Sequence, residues 1–392
     1  MLQKNLIIAF GGVSPEHEVS VLTAIQAASA LENSDWNLIP LYLTKNGYWL
    51  TGEGLLELDT YKEIRQAEEK GIPCHFVIGD NGFPNLVTCP AGWFERRRSI
   101  RIDALLCAFH GSEGENGSFQ GLCETYNIPY TGSGVAASAI GMDKRLAKEL
   151  CRLHQVLVVD DVWIQENQWV NKREQLLTEC EKMGYPLYVK PVTLGSSIGV
   201  HRVTEHRELT DAVEESFRFD RNLLVEKAVL PLTEINCSVL GDETDLKVSV
   251  CEQPLGKEEL LSFEDKYMHG EGDNKGMASA SRQIPAPISK EITEEIQQLA
   301  RKIFYLLGCS GVARLDFLLH SETGEVYFNE INTIPGSFSF YLWEASELRF
   351  DRLLEELISI AGNRHKKKNS RVRSHDVNLL SQKAVRGIKG DK

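Results

Sequence analysis

Apolar runs separated by glycine-rich turns predict a mixed α/β protein. The segments Asn5–Phe10, Leu38–Leu43 and Ile102–Phe109 are almost entirely apolar, which is typical of parallel strands buried on both faces. Gly11-Gly12 follows the first of them, and the loop His110–Gly117 follows the third. Ligands bind at the carboxyl ends of strands in such sheets, so these two loops are candidates for a binding site. The first turn lacks the GxGxxG pattern, which argues against a dinucleotide.

Helical spacing and capping residues predict the helices. Ser14 is expected to cap a helix that reaches Leu31, because serine side chains accept hydrogen bonds from the first turn. One continuous helix is predicted over Val135–His154, and the last helix over Ser346–Ala361. Residues 44–100 are predicted to be mostly irregular, with a small hairpin near their start.

Two loops in the middle of the chain are candidates for function. The Gly/Ser-rich loop Pro191–Val200 follows the predicted strand Leu187–Lys190, and backbone N–H groups in such loops can bind phosphates. It lacks the P-loop consensus and precedes a strand, so a P-loop is excluded. Residues 262–281 are too polar and too long for a core segment, which predicts a lid loop.

A hairpin near the end of the chain concentrates polar side chains among apolar ones. Its predicted strands are Val312–Leu319 and Val326–Ile331. Side chains two residues apart share a face of a strand, so Arg314 lies beside Asp316, and Glu330 is followed on the same face by Asn332. Pairing of the strands would bring two carboxylates and a carboxamide next to a guanidinium. Oxygen donors of this kind suit Mg²⁺, and the alternative is a solvated hairpin with ordinary surface charges.

Composition narrows the class of protein. A chain of 392 residues is expected to form two or three domains. Its nine cysteines show no CxxC or metal-like spacing, which favours free thiols in a reducing cytoplasm. No apolar run approaches the roughly 20 residues that span a bilayer, so no membrane insertion is expected. The net charge is −13, and from Arg364 onward it is +8, which leaves −21 on the body; such a body argues against nucleic-acid binding.

Eight segments, in order, resemble the D-alanine–D-alanine ligases of the ATP-grasp superfamily, and the resemblance covers roughly residues 4–361. They are GGVSPEHEVS, FHGSEGENGSFQG, PYTGSGVAASAIGMDK, YVKPVTLGSSIGV, LVEKAVLPLTEINCSVLG, EDKY, GCSGVARLDF and FNEINTIPG. The resemblance implies an α/β (α+β) ATP-grasp fold with a Rossmann-like N-terminal domain. The implied divisions are an N-terminal domain (1–140), a central ATP-grasp subdomain (141–230), a C-terminal catalytic domain with the lid (231–362) and a basic, disordered tail (363–392).

The reaction implied by the resemblance joins two D-alanines for peptidoglycan precursor synthesis. ATP would phosphorylate the carboxylate of the first D-alanine, and the amine of the second would attack the acyl phosphate. The alternative is a ligase with another acceptor, such as D-serine or D-lactate. A non-catalytic ATP-binding protein would be expected to lack metal ligands or Arg314, and all are present. Relatives are commonly homodimers, so a homodimer is expected here by analogy.

The resemblance also assigns roles to residues around the reacting groups. Glu16, Ser196 and Tyr267 would form a hydrogen-bonded set at the ammonium group of the first D-alanine. His110 would lie near its carboxyl group. The tetrahedral oxyanion would be stabilised by Arg314 and the backbone N–H of Gly336.

The resemblance further assigns residues to the binding of ATP and its metal ions. Lys144, Lys190 and Lys266 would contact the phosphates. Adenine would be bound by Glu226, Lys227 and Val229, and the ribose by Glu234. Two Mg²⁺ ions, with Mn²⁺ as a substitute, would be bound by Asp316, Glu330 and Asn332.

The acceptor site departs from the family pattern. Tyr341 aligns with a serine that helps the family bind the carboxylate of the second substrate. Backbone N–H groups or the Tyr341 hydroxyl would then bind that carboxylate, beside Leu342. Tyr267 matches the dipeptide-forming pattern, whereas lactate-using relatives often have phenylalanine. The sequence therefore favours an amine acceptor and leaves its identity open.

Overall fold

The computed structural model describes residues 3–80, 82–89, 96–255 and 282–373. The strands in this part of the chain are β1 (Lys4–Gly11), β2 (Trp36–Leu43), β3 (Trp49–Thr51), β4 (Ile72–Ile78), β5 (Pro84–Thr88), β6 (Ser99–Arg101), β7 (Ala104–Cys107), β8 (Asp161–Gln165), β9 (Leu187–Pro191), β10 (His201–Val203), β11 (Asn222–Lys227), β12 (Leu232–Gly241), β13 (Leu246–Pro254), β14 (Arg282–Gln283), β15 (Gly311–His320) and β16 (Val326–Asn332).

The α-helices of the same ranges are α1 (His17–Ala30), α2 (Ile64–Lys70), α3 (Ser112–Glu115), α4 (Ser118–Thr125), α5 (Val135–Met142), α6 (Lys144–Leu153), α7 (Glu166–Glu181), α8 (His206–Ser216), α9 (Lys290–Leu306), α10 (Phe340–Glu344) and α11 (Phe350–Asn369). A short 3₁₀ helix lies at Leu58–Tyr61, and Gly336–Ser339 forms a tight turn in which Ser337 and Phe338 have positive φ angles. None of these helices is long and apolar enough to cross a membrane.

The N-terminal sheet has the order β6-β5-β4-β3-β2-β1-β7. Its strands β2, β1 and β7 are parallel, as the apolar runs predict. The prediction that residues 44–100 are mostly irregular is wrong, because β3 to β6 extend the sheet with antiparallel pairs. These strands are short, and β4 alternates buried with exposed positions, so they lack a continuous apolar run.

Two helix boundaries differ from the prediction for local reasons. The first helix begins at His17 because the Ser14 hydroxyl accepts the N–H of Glu16, at 3.1 Å, in a turn ahead of it. The continuous helix expected after Val135 is two helices, α5 and α6. Asp143 separates them with an extended backbone (ψ 97°), and its carboxylate caps α6 by accepting the N–H of Leu146 at 2.8 Å.

The remaining strands form a four-stranded sheet, β10-β9-β11-β8, and a five-stranded sheet, β14-β13-β12-β15-β16. The predicted hairpin is β15–β16 at the edge of the five-stranded sheet, and the pairing of its strands is confirmed. Asp316 lies opposite Glu330, and on its other side Asn236 pairs with both Asp316 and Glu252. A row of polar positions therefore crosses four neighbouring strands.

The last helix, α11, begins later and ends later than predicted. It runs to Asn369, so the prediction of disorder from residue 363 is wrong for its first seven residues. The Arg364 guanidinium donates to the carbonyl oxygens of Tyr130, at 2.8 Å, and Gly132, and Lys368 pairs with Glu124. Lys368 lies in the last turn of α11, where the helix dipole favours a cation. The rest of the predicted tail, from residue 374, lies outside the described residues.

The N-terminal sheet shares its apolar core with C-terminal elements. Leu353, Leu354 and Leu357 of α11 pack into the same cluster as β1, β2 and β7. Phe338 and Trp343 join this cluster from the segment after β16. The loop that follows the polar hairpin is therefore anchored against the N-terminal domain.

Candidate active site

A cavity lies where loops of the N-terminal sheet meet the polar face of the five-stranded sheet. Twelve of the residues predicted for the site line it: Glu16, His110, Lys144, Lys190, Ser196, Glu234, Arg314, Asp316, Glu330, Asn332, Gly336 and Tyr341. Glu226, Lys227, Val229 and Leu342 are not among its lining residues. Lys266, Tyr267 and the predicted lid lie outside the described residues.

The loops after β1 and β7 meet because these strands are parallel neighbours. The Ser196 hydroxyl, from the loop after β9, donates a hydrogen bond to Oε1 of Glu16. Two glycines permit this approach: a Cβ on Gly111, where φ is +67°, would lie 2.6 Å from Oε2 of Glu16, and one on Gly195 would lie 3.3 Å away. The pair places one carboxylate and one hydroxyl at the end of the cavity that is lined by loops of the N-terminal sheet.

His110 is buried and bonded within the protein. Its Nε2 lies 2.8 Å from the Thr23 hydroxyl. Burial lowers the pKa of the imidazole to about 4. His110 is therefore neutral at physiological pH and contributes hydrogen bonds, without positive charge, to this end of the cavity.

The β15–β16 hairpin brings its polar side chains together as predicted. Arg314 donates from Nε and Nη2 to the two oxygens of Asp316, both at 2.7 Å. Nδ2 of Asn332 donates to Oδ2 of Asp316 at 3.1 Å, and Lys144 Nζ lies 3.1 Å from Oε2 of Glu330. Burial alone would lower the pKa of the Arg314 guanidinium, but Asp316 raises it above its ordinary value.

The donor set of this hairpin fits a hard divalent cation. Asp316 and Glu330 face each other across the strands, and Asn332 adds a carboxamide oxygen. Within the described ranges no three His, Cys, Asp or Glu residues gather as a metal site. The cation would thus have two carboxylates and an amide, which suits Mg²⁺ because it takes its other ligands from phosphates and water.

A buried ion-pair group includes Lys190, one of the lysines predicted to contact phosphates. Glu226 pairs with Lys190, at 2.7 Å, and with Lys148. Burial alone would raise the pKa of the Glu226 carboxyl, but the two lysines lower it to about 2. Lys190 also donates to Oδ1 of Asn329 at 3.2 Å. Sequence reasoning missed Lys148, although it lies four residues after Lys144 on the same helix face.

The other residues predicted to contact adenine lie at the end of β11. The Lys227 side chain is exposed, and its backbone N–H donates to the carbonyl of Asp160 at 3.0 Å. Val229 packs with Val159 and Leu318, and Leu318 lines the cavity.

Leu342, predicted to lie at the acceptor site, is wholly buried.

Tyr341 belongs to a polar cluster that the sequence did not reveal. Its hydroxyl donates to Oε1 of Glu252 at 2.9 Å, and Asn236 donates to the same oxygen at 3.1 Å. Arg282 donates to Oε2 of Glu252 at 3.0 Å, and its guanidinium carbon lies 3.8 Å from the centroid of the Tyr341 ring. Burial and the Glu252 carboxylate raise the pKa of Tyr341 to about 12, so the phenol stays protonated. Its members come from separate parts of the chain, so no local pattern indicates the cluster.

The chain is similar over most of its length to known proteins. Family models described as D-ala D-ala ligase N-terminus and C-terminus match residues 5–133 and 151–359. The D-alanine–D-alanine ligase of Thermosipho melanesiensis is 37% identical over 380 residues, which are 97% of this chain and 99% of that protein. The corresponding ligase of Caldicellulosiruptor bescii is 36% identical over 376 residues, 94% of this chain and 98% of that protein.

Solved structures show the same architecture. The D-alanine–D-alanine ligase of Coxiella burnetii superposes with a TM-score of 0.77 at 29% identity, covering 94% of this chain and 97% of that one. The D-Ala:D-Ser ligase of Enterococcus faecalis gives 0.76 at 29% identity, covering 92% and 99%. The fold is the expected ATP-grasp fold, and the chain belongs to the D-alanine–D-alanine ligase family.

Proposed function

We propose that the protein joins two D-alanine molecules at the expense of ATP, and that the dipeptide serves peptidoglycan precursor synthesis. The observation that carries the proposal is the convergence of three groups in one cavity. These are the Glu16–Ser196 pair, the lysines at positions 144 and 190, and the polar β15–β16 hairpin. These groups would orient the first substrate, neutralise phosphate charge and stabilise the oxyanion.

The first step transfers the terminal phosphoryl group of ATP to a carboxylate oxygen of the first D-alanine. A new P–O bond forms, and the bond to the departing ADP breaks. Two anions must meet, so positive charge has to offset their repulsion. Lys144 and Lys190 supply it from the cavity wall. A cation bound by Asp316, Glu330 and Asn332 would neutralise further phosphate charge.

The second step forms the peptide bond. The neutral amine of the second D-alanine attacks the acyl carbon, the C–O bond to the phosphate breaks, and the phosphate leaves with the proton that the nitrogen releases. The tetrahedral oxyanion takes hydrogen bonds from Arg314 and the N–H of Gly336. One such donor typically contributes a factor of about 10²–10³ in rate. The two hydrogen bonds to Asp316 hold the Arg314 guanidinium in one orientation for this task.

Glu16 gives the first substrate its orientation. A carboxylate at this position attracts the ammonium group of a D-amino acid, and the Ser196 hydroxyl fixes one of its oxygens. Tyr267 completes the set in this proposal. The adenine contacts proposed for Glu226, Lys227 and Val229, and the ribose contact of Glu234, follow the family pattern.

Several finer assignments belong to the same proposal. The cation is Mg²⁺, two ions per site, with Mn²⁺ as a substitute. A cytoplasmic location is supported by nine free cysteines, and a homodimer is proposed by analogy with the family. The proposed divisions of the chain are residues 1–140, 141–230 and 231–362, in line with one sheet in each.

Phosphate release from ATP tests the proposal. We expect release that requires both D-alanine and Mg²⁺, with a product of the mass of the dipeptide. A panel of D-alanine, D-serine and D-lactate as acceptors then identifies the second substrate. Equal turnover with L-alanine, or none with D-alanine, would refute the function.

A substitution in the hairpin tests the mechanism. Glu330→Gln is expected to lower kcat by at least about 10²-fold, because a catalytic metal ion contributes several kcal/mol. Glu322→Gln is the matched control, since this glutamate is exposed in the turn of the same hairpin. Circular dichroism should show both variants folded. Normal turnover of Glu330→Gln would remove the hairpin carboxylates from the chemistry.

A further inference from the structure

The loop after β16 contains Gly336 and has an unfavourable backbone conformation. Ser337, Phe338 and Ser339 have φ angles of 50°, 55° and 51°. This left-handed region is disfavoured for residues with a Cβ, and such conformations persist when surrounding structure holds them. The contacts that hold this loop therefore determine where the Gly336 N–H points.

Those contacts come from the N-terminal domain. Oε1 of Glu115 accepts the N–H of Ile334 at 3.0 Å and lies 3.4 Å from the Thr333 hydroxyl, while Oε2 accepts the N–H of Gly111 at 3.1 Å. Glu115 is buried, so these bonds satisfy a carboxylate that water reaches poorly. One side chain thus joins the loop after β7 to the loop after β16.

A second set of contacts holds Ser337, the residue after Gly336. The Thr23 hydroxyl oxygen accepts the N–H of Ser337 at 3.0 Å. Its own proton is then available for Nε2 of His110, 2.8 Å away. The Ser337 hydroxyl donates to Oε1 of Gln26 at 2.6 Å. Helix α1 therefore fixes the Gly336–Ser337 peptide, and Glu115 fixes the Thr333–Ile334 peptide.

We propose that Thr23 and Glu115 are positioning residues that hold the Gly336 N–H in place for peptide-bond formation, so that this step depends on docking of the N-terminal domain onto the catalytic sheet. The inference rests on the proposed function. Thr23 is wholly buried and does not line the cavity, so it acts through the loop and through His110. Glu115 does line the cavity, which makes Thr23 the cleaner residue to test.

The main variant is Thr23→Val, which keeps the shape of the side chain and removes the hydroxyl. We expect kcat for dipeptide synthesis per folded molecule to fall about 10–100-fold, because misplacement of a catalytic group by about 1 Å can cost 10²-fold. The KM for ATP should change less than about twofold, since the phosphate lysines lie on other elements. Thr23→Ser restores the hydroxyl and should restore most of the rate.

Thr51→Val is the matched control. Thr51 is a buried threonine of strand β3 in the N-terminal domain, and its hydroxyl donates to the carbonyl of Pro40 at 2.6 Å, away from the cavity lining. A purely structural role for Thr23 would lower the melting temperature in both variants and leave kcat per folded molecule unchanged. If Thr23→Val misfolds, Glu115→Gln serves instead, because its amide has one acceptor oxygen for the N–H groups of Gly111 and Ile334, so one of the two bonds that join these loops is lost.

Two outcomes overturn the inference. One is a Thr23→Val enzyme with the kcat of Thr51→Val, and the other is a fall in kcat matched by an equal rise in the KM for ATP. In both cases the wild type still makes dipeptide, so the proposed function stands. A wild type without D-alanine-dependent phosphate release would instead refute the function and this inference together.

Discussion

Replacing Glu226 by glutamine is expected to destabilise the protein by roughly 3 kcal/mol at neutral pH. The carboxylate is 1% exposed and lies between Lys148 and Lys190. Although burial alone would raise its pKa, the lysines lower it from 4.5 to about 2. One pKa unit corresponds to about 1.4 kcal/mol, so the carboxylate form contributes roughly 3 kcal/mol. Breaking a buried pair from one side typically costs about 3–5 kcal/mol, which agrees.

The pH dependence of this effect has a definite sign. The folded pKa of Glu226 lies below the unfolded one, so its stabilisation is present above pH 4.5 and is lost as the pH falls through about 2. The difference in unfolding free energy between wild type and Glu226→Gln should therefore be constant near neutral pH and shrink in acid. A pair whose strength came from packing alone would show no such decrease.

Urea denaturation of both proteins across this pH range measures the effect. Glu215→Gln is the control, because Glu215 forms an exposed pair with Arg218 at 3.4 Å on the same domain, and exposed pairs contribute about 0–1 kcal/mol. A loss below about 1 kcal/mol for Glu226→Gln would place it with the exposed pairs and refute the buried-pair reasoning. The KM for ATP should also rise, since Lys190 loses its partner.

Two further substitutions test other parts of the structure. Tyr341→Phe removes the hydroxyl that donates to Glu252 and should lower the free energy of unfolding by about 1–3 kcal/mol, because a buried acceptor loses a partner; thermal unfolding measures this loss. A raised KM for the acceptor amino acid would show that the cluster takes part in substrate binding, whereas an unchanged KM would show that its role is in stability alone. Arg364→Leu removes two hydrogen bonds to the backbone of Tyr130 and Gly132 and should lower the melting temperature, whereas an unchanged value would show that α11 docks through its apolar residues alone.

Local pattern predicted a large part of the fold. The period of two along β15 and β16 put Arg314 beside Asp316 and Glu330 on the face of Asn332, and the structure has both strands. Apolar runs predicted β1, β2 and β7, although the last is shorter than expected. The pattern missed β4 to β6, which are short, half-exposed strands without a continuous apolar run, and it missed the helix break at Asp143.

The parts that pattern could not supply are contacts between distant residues. The hydrogen bond from Ser337 to Thr23 joins positions 314 apart in the chain, and that from Ile334 to Glu115 joins positions 219 apart. Sequence spacing carries no information about such pairs, because the packing of whole domains brings them together. The same holds for Glu252 and Tyr341, 89 residues apart.

The sequence by itself determined which residue types stand on which local face: the polar hairpin, the glycine-rich loops after the parallel strands and the lysine at the end of β9. The tertiary structure alone decided how these pieces combine. It paired Lys190 and Lys148 with one buried carboxylate, joined Tyr341 to Glu252, and held the loop around Gly336 from the N-terminal domain. The reason is physical: local geometry follows from backbone periodicity over a few residues, whereas burial, charge pairing and strained loops depend on surfaces that meet only after the domains have packed.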